Sequence, residues 1–227
     1  MCGRYGSEIS PEQLSLMLDV PEEQTQGFDP RYNIAPTQLA PVARLDPSGV
    51  RELSALRWGL VPSWATDTSR AARLINARSE TVAHKPSYRD AYGARRCLVP
   101  ADGFYEWRRA GRSRFPIHFQ LEGGRPFAFA GLWERWRPST DGAPLDTFTV
   151  LTTQANALVG QVHDRMPVIL TDLAMDRWMS PSATPDELQS LLRPFPVSEM
   201  ESWEVSIRVN AVAIDDPLCR ARQPSLL

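Results

Sequence analysis

The chain has 227 residues and a formal net charge of −2, with 42% hydrophobic and 23% charged residues. This composition is typical of a globular protein with a sizeable core, and the lack of any run of about 18 apolar residues excludes a membrane-spanning helix. The slightly acidic balance excludes attraction of the whole molecule to nucleic acid, so binding of a polyanion would need a local basic patch.

Cysteine usage and the start of the chain indicate the compartment. The cysteines are widely spaced and form no CxxC pair: Cys2, Cys97 and Cys219. This spacing argues against a disulfide scaffold and a thiolate zinc site, and the histidines are equally scattered, so we expect no metal and no cofactor. The N-terminus has no charged-then-apolar signal segment, so we expect a cytoplasmic, nucleoid-associated protein.

The first segment of the chain places Cys2 directly after the initiator methionine. If Met1 is removed, Cys2 carries an α-amine and a thiol that can condense with an aldehyde, first to an imine and then to a five-membered thiazolidine ring. An α-amine has a reference pKa of about 7.7–8.0, so much of it is neutral near pH 7. Arg4 adds a cation that is expected to lower the pKa of the thiol and to attract phosphate. The alternative is an unstructured terminus with a solvated arginine.

Helix start signals occur at three places along the chain, and a fourth helical stretch is predicted because Tyr88 and Tyr92 would share one face. Ser10 and Gln13 form a capping box with Pro11 at the first helical position, which predicts a helix through Leu18, and Thr184 with Glu187 repeats this pattern further along. The other two predicted helices cover residues 87–92 and a short stretch capped by Thr171.

Short strands are predicted through the rest of the chain. They are Pro116–Leu121, Pro126–Leu132, Thr147–Thr152, Pro167–Leu170 and, in part, Val209–Ile214. The first two flank a Gly-Gly pair, which is a hairpin signal. No alternation of strands and helices appears, which argues against a doubly wound sheet. We therefore predict an α+β fold: a single domain over residues 1–227, with a mixed, strongly bent, barrel-like sheet and short peripheral helices.

Two segments carry polar side chains among apolar neighbours. Asn76 and Arg78 share a face if their segment is extended, where they could hold a sugar hydroxyl and a phosphate; the alternative is a turn with a surface arginine. Glu106 lies between Tyr105 and Trp107. If these aromatics bury the carboxyl it is suited to acid–base catalysis, and if the strand alternates regularly it faces water.

The segment after residue 160 and two loops complete the candidates. His163 precedes Arg165, and histidine is the natural proton shuttle near neutral pH, with the arginine placed for a phosphate; the alternative is a loop histidine without a role. Trp64 and the loop at Pro36 lie on bent, proline-containing stretches, where exposed aromatics stack on the bases of single strands. Ordinary burial is expected for Trp58.

Together these segments resemble the SRAP family, the SOS-response-associated peptidases or abasic-site processing proteins. The matching stretches run from residue 1 to residue 170 in the family's order: MCGRY, RYNIAPTQ, RWGLVPSW, INARSET, RCLVPADGFYEW and HDRMPVIL. The resemblance implies one SRAP-like domain that recognises an abasic site in single-stranded DNA, where the open sugar presents an aldehyde. It further implies that Cys2, freed of Met1, forms a thiazolidine crosslink that protects the lesion.

The resemblance also implies roles for single residues. Cys2 would be the covalent nucleophile, Asn76 would hold the sugar, Glu106 would move protons during imine formation and reversal, and His163 would assist ring opening. The DNA-binding residues would be Arg4, Arg78 and Arg165 on flanking phosphates, with Trp64 and Pro36 as a wedge that bars duplex on one side. A monomer acting in DNA repair is expected, with lyase activity and with self-cleavage limited to Met1.

Two other functions remain open at the level of sequence. A cysteine peptidase would use Cys2 and His163 on other proteins. A non-catalytic module would bind single-stranded DNA with a steep salt dependence and without a covalent product.

Overall fold

The computed structural model describes residues 2–138 and 142–223. Within these ranges the strands are β1 (Tyr5–Ser7), β2 (Arg31–Ile34), β3 (Leu39–Leu45), β4 (Arg51–Trp58), β5 (Asn76–Arg78), β6 (Arg96–Ala101), β7 (Gly103–Ala110), β8 (Ser113–Leu121), β9 (Phe127–Trp136), β10 (Leu145–Gln154), β11 (Arg165–Pro167), β12 (Ile169–Leu170) and β13 (Met200–Glu204). The helices are α1 (Pro11–Leu18), α2 (Arg89–Ala94), α3 (Leu173–Met179) and α4 (Pro185–Leu191). None of these helices is long and apolar enough to cross a membrane.

Five strands close into a barrel. β4 pairs with β3, β3 with β6, β6 with β9 and β9 with β10, all antiparallel. β10 then returns to β4 through a parallel contact that pairs Thr147 with Arg57 and Phe148 with Trp58. A second, antiparallel sheet runs in the order β13-β8-β7-β1-β2. The predicted fold class, α+β with a strongly bent mixed sheet and short helices, is confirmed.

Aromatic side chains from both sheets fill the main core. The ring of Tyr5 meets Trp58 edge-on at 5.2 Å and Phe129 at 5.5 Å between centroids. Trp58 stacks on Phe148 at 6.2 Å, and all four rings are fully buried. Burying a side chain of this size stabilises a fold by about 1.5–3 kcal/mol. The core therefore fixes β1, and with it the N-terminus, against the barrel.

The two helices with capping boxes begin where the sequence predicts. The Ser10 hydroxyl accepts from the Gln13 amide at 3.3 Å, and the Gln13 side chain accepts from the Ser10 amide at 3.1 Å. Thr184 and Glu187 make the same reciprocal pair at the start of α4. These helices are set by contacts within four residues, which is why a local pattern suffices to find them.

The two helices without a capping box begin later than predicted. α3 begins at Leu173, and the residue before it is Asp172 rather than Thr171, with a φ of 44° and no side-chain cap. α2 begins at Arg89 rather than at residue 87, again without a side-chain cap. Neither boundary is set by a side-chain cap, which is why the local pattern misplaces it.

The predicted hairpin at residues 122–125 is wrong. β8 pairs with β7 and β13 in the second sheet, whereas β9 pairs with β6, β10 and β12 in the other. The turn carries the chain from one sheet to the other, because both strands are apolar enough to be buried but their partners come from elsewhere in the chain. Other differences are a 3₁₀ turn at Ile207–Asn210 instead of a strand, and a break at Val168 that separates β11 from β12.

Candidate functional site

Two of the predicted site segments form strands that pair with β10. β5 runs parallel to β10 and pairs Asn76 with Val150. β11 runs antiparallel to the same end of β10 and pairs Arg165 with Gln154. The third segment, β7, is held against β1 in the second sheet. The end of β10 thus lies between the strand that carries Asn76 and the strand that carries Arg165.

Cys2 is fully buried in the core between the two sheets. Asn76 Nδ2 donates to the Cys2 carbonyl oxygen at 2.8 Å, and the Cys2 Sγ lies 3.8 Å from the Arg4 carbonyl oxygen. Burial raises the pKa of the Cys2 thiol, and the nearby charge of Glu106 raises it further. The thiol is therefore protonated near neutral pH, although its contact with the backbone of Arg4 lowers the pKa in part. Removal of Met1 lies outside the described residues.

Arg4 points toward the second sheet. Its Nη1 donates to Asn33 Oδ1 at 2.8 Å and to the Val209 carbonyl oxygen at 2.5 Å, and its guanidinium lies 5.9 Å from the ring centroid of Trp107. Burial lowers the pKa of Arg4 from its ordinary value. A phosphate bound by Arg4 would share the guanidinium with these protein partners.

Asn76 is held in place through the backbone around it. Tyr88 donates its hydroxyl to the Asn76 carbonyl oxygen at 3.2 Å, and Trp58 Nε1 donates to the Ile75 carbonyl oxygen at 2.9 Å. Asn76 Oδ1 is buried and has no hydrogen-bond partner among the described residues. A buried acceptor without a donor is costly, so this oxygen is suited to receive a hydroxyl from a bound molecule.

Glu106 and His163 line one cavity of about 480 Å³. Glu106 is buried, with 4% of its surface exposed, so it does not face water. Its flanking aromatics do not cover it, because Tyr105 and Trp107 lie on the opposite face of β7 and pack near Val209. His163 Nδ1 accepts from the Arg165 amide at 3.0 Å. Asp164 Oδ1 lies 2.9 Å from the same Nδ1. Cys2, which is enclosed, is not among the residues that line this cavity.

Arg165 and Arg78 differ in their surroundings. Arg165 is buried and makes two hydrogen bonds of 2.9 Å to the two carboxylate oxygens of Glu80, while its Nη2 donates to the Thr152 carbonyl oxygen at 2.5 Å. The hydrogen bond from Arg165 lowers the pKa of the Glu80 carboxyl. Arg78 is exposed. Of the arginines expected on phosphates, Arg78 alone presents its side chain to solvent.

The two aromatic and proline loops lie apart from this cavity. Trp64 is 59% exposed, as predicted, and its Nε1 donates to the Pro86 carbonyl oxygen at 3.4 Å. Pro36 is half-buried, and neither residue lines the cavity of Glu106 and His163. Trp58 is fully buried, which confirms its expected packing role. A wedge function for Trp64 and Pro36 stays a prediction.

Sequence reasoning missed several residues at the site. Glu80 and Thr152 hold Arg165. Glu80 lies in the INARSET stretch, but the sequence analysis assigned no role to it or to Thr152. The cavity is also lined by three arginines that were not singled out: Arg108, Arg109 and Arg114. The sequence does show a cluster of arginines around Gly111, a pattern that is typical of the tip of a basic hairpin.

Proteins with the name "abasic site processing protein" are similar to this chain over nearly all of its length. "Abasic site processing protein YoqW" of Bacillus subtilis (strain 168) is 43% identical over 223 residues, which cover 96% of this chain and 97% of that protein. "Abasic site processing protein HMCES" of Gallus gallus is 35% identical over 260 residues, which cover 96% of this chain and 77% of that protein.

A solved structure and a family profile agree with this similarity. The crystal structure of a protein from Bacteroides thetaiotaomicron superposes with a TM-score of 0.86 at 26% identity, and the match covers 98% of this chain and all of that one (100%). The profile of a family described as "SOS response associated peptidase (SRAP)" matches residues 1–212. The chain belongs to the SRAP family.

Proposed function

We propose that the protein processes abasic sites in single-stranded DNA by forming a covalent crosslink through Cys2 once Met1 is removed. Its relatives in two distant organisms carry the name of abasic site processing proteins. The observation that carries the proposal is the 2.8 Å hydrogen bond from Asn76 to the Cys2 carbonyl. This contact holds the backbone of Cys2, and the charge of the buried Glu106 acts on the Cys2 thiol.

The reaction joins the aminothiol to the sugar aldehyde in two steps. The α-amine of Cys2 adds to the aldehyde carbon, and loss of one water gives the imine. The thiol sulfur then adds to the imine carbon, and its proton ends on the nitrogen, which closes the thiazolidine ring. The raised pKa of the thiol is consistent with this order, because the sulfur keeps its proton until the nitrogen needs it. Closure within one residue gains from proximity.

The surrounding side chains supply the proton transfers and hold the sugar. Glu106 moves protons during loss of water and during reversal, as a buried carboxyl in contact with the cavity can. His163 lines the same cavity, where its ring can donate a proton to the sugar ring oxygen during opening. Asn76 Oδ1 accepts from a sugar hydroxyl. Arg4, Arg78 and Arg165 bind flanking phosphates, and Trp64 with Pro36 bars duplex.

Lyase activity and self-cleavage follow from the same terminus. An imine at the sugar acidifies the neighbouring C2′ proton, so its removal expels the 3′ phosphate by β-elimination. Self-cleavage would be confined to Met1. The alternative of a cysteine peptidase is less well supported, because a peptidase needs a thiolate and the pKa of the Cys2 thiol is raised.

The test is a crosslinking reaction with protein whose loss of Met1 has been checked by intact mass. Single-stranded DNA with one abasic site should give an adduct that survives heating in detergent, with the summed mass of both reactants less one water. Cys2→Ser keeps the amine and removes the thiol, so its adduct should persist only after reduction with borohydride. Cys219→Ser is the matched control, since Cys219 is also buried and donates to the Ile214 carbonyl. Processed protein that gives no adduct, or a Cys2→Ser adduct as stable as that of the wild type, would contradict the proposal.

A further inference from the structure

The hairpin formed by β7 and β8 ends in an exposed cluster of positive charge. Its strands pair as far as Ala110 and Ser113, and Gly111 at a φ of 59° and Arg112 form the turn. Arg109 and Arg114, like Arg112, are exposed. In a chain with a net charge of −2, this is a local basic patch of the kind that polyanion binding requires.

Two of these arginines face each other without a counter-ion. Arg109 and Arg114 are directly opposite in the antiparallel register. Like charges in that position destabilise a strand pair. Among the described residues neither has an ion pair or a side-chain hydrogen bond, whereas the adjacent Arg108 is paired with Glu204 at 2.6 Å. A bound anion would relieve the repulsion between Arg109 and Arg114.

The same two arginines line the cavity that contains Glu106 and His163. The opposite wall is formed by residues 161–164. Arg109 lies three residues beyond Glu106 on β7, which is about 10 Å along a strand. At this distance the two arginines do not reach the sugar on which Glu106 would act. They are close enough to contact the neighbouring part of a DNA strand. The lining also contains the carboxylates of Glu106 and Asp164, so the anion is expected at the hairpin end of the cavity.

Two other arginines near the site, Arg4 and Arg165, are already engaged, whereas Arg78 is exposed. The side chain of Arg4 is bonded to Asn33 and Val209, and that of Arg165 to Glu80 and Thr152. Arginine binds phosphate best when both nitrogens of its planar fork are available. The exposed guanidiniums of Arg109 and Arg114 meet that condition.

We infer that Arg109 and Arg114 together clamp one phosphodiester group of the DNA strand, next to the abasic sugar. The inference rests on the proposed function and extends its site to the hairpin. The contact positions the strand without reading its sequence, because a phosphate is the same at every nucleotide. It also gives the hairpin a direct part in guiding the sugar toward Glu106 and His163.

The first test measures binding apart from chemistry. The ligand is single-stranded DNA with one tetrahydrofuran abasic analogue, which has no aldehyde, and affinity is followed by fluorescence anisotropy over a series of KCl concentrations. Arg109→Gln/Arg114→Gln should bind about tenfold more weakly at low salt, and the slope of log affinity against log salt should shrink by about 0.7 for one lost phosphate contact. Arg109→Lys/Arg114→Lys, which keeps both charges, should restore most of the slope.

The matched control removes two charges at the other end of β8. Arg125 pairs with Glu199, and Arg193 lines a cavity with the same Glu199. Arg125→Gln/Arg193→Gln should leave affinity and salt slope unchanged. An equal loss in both double variants would show a general charge effect and would overturn the inference. So would wild-type affinity and slope in Arg109→Gln/Arg114→Gln.

The second test separates this inference from the proposed function. With 2-deoxyribose, an aldehyde without phosphates, thiazolidine formation by Arg109→Gln/Arg114→Gln should match the wild type, while crosslinking to abasic DNA at limiting concentration should be about tenfold slower. If the variant is slowed equally with both substrates, the substitutions impair thiazolidine formation itself and not DNA binding, which would overturn the inference. If the wild-type protein fails to crosslink, the proposed function is contradicted. If the wild type and Arg109→Gln/Arg114→Gln crosslink to abasic DNA equally fast, only the phosphate clamp is contradicted.

Discussion

The burial of Cys2 limits the reactivity of its thiol. The thiol is enclosed between two sheets and its pKa is raised, so it is a poor general nucleophile. In the proposed reaction the amine acts first, and the thiol adds only to an imine already held next to it. Glu106, whose charge acts on the Cys2 thiol, lines a cavity from which an aldehyde could approach. Burial therefore favours selectivity for a substrate that this cavity can admit.

His118 provides a residue-scale prediction for stability against pH. It is fully buried between the rings of Tyr105 and Trp203, and burial lowers its pKa from 6.5 to about 3. The unfolded chain takes up a proton below pH 6.5 and the folded chain does not until about pH 3. Stability is thus complete above pH 6.5 and falls by about 1.4 kcal/mol per unit as the pH drops from there toward 3.

The measurement is urea unfolding at pH 7 and at pH 5. His118→Phe should reduce the loss of stability between these values by about 2 kcal/mol relative to the wild type. His84→Gln, a change at an exposed histidine, should leave the loss as it is in the wild type. If His118→Phe shows the same pH dependence as the wild type, His118 is not the group that titrates.

Single residues were predictable where their surroundings are local. The position of Cys2 is visible in the sequence. The burial of Glu106 was not, because its aromatic neighbours Tyr105 and Trp107 pack on the opposite face of β7 and other parts of the chain cover the carboxyl. The pair formed by Arg165 and Glu80 was not predictable, because it joins residues far apart in the chain through the register of β10. The direction of Arg4 likewise depends on partners near the C-terminal end, such as Val209.

At the scale of elements, strand existence was predictable and strand partnership was not. The alternation and β-branched content of β8, β9 and β10 mark them as strands. Their neighbours depend on which apolar faces meet in the closed barrel, and that is a property of the whole chain. The wrong hairpin between β8 and β9 shows this limit, since the turn residues there are suitable but the strands belong to different sheets.

Gly59 provides the element-scale prediction, at the point where β4 ends. Its φ is 125°, its amide donates to the Phe148 carbonyl at 2.8 Å, and an added Cβ would lie 2.7 Å from the Ala71 carbonyl oxygen. Gly59→Ala should cost about 3 kcal/mol or more, from backbone strain and the clash together. Gly49→Ala, at a φ of 86° but in open space, should cost only about 1 kcal/mol. Urea unfolding compares the two; equal costs would mean that the backbone around Ala71 moves aside.

At the scale of the whole molecule, the sequence predicts one domain over residues 1–227. Scanning calorimetry tests this directly. One cooperative transition should appear, with an enthalpy of roughly 160 kcal/mol near 60 °C and equal calorimetric and van't Hoff values. Two separable transitions would contradict a single domain. The family profile ends at residue 212, so the last residues are the part of the chain for which this test matters most.

The parallel contact between Arg57 and Thr147 has a consequence for the order of events during synthesis. The barrel cannot close until the second of these residues has left the ribosome, on the order of ten seconds after the first. Until then the pocket that encloses Cys2 does not exist, and the start of the nascent polypeptide is open to an aminopeptidase. Translation itself thus provides the interval in which the initiator can be cut away, before folding hides the new terminus.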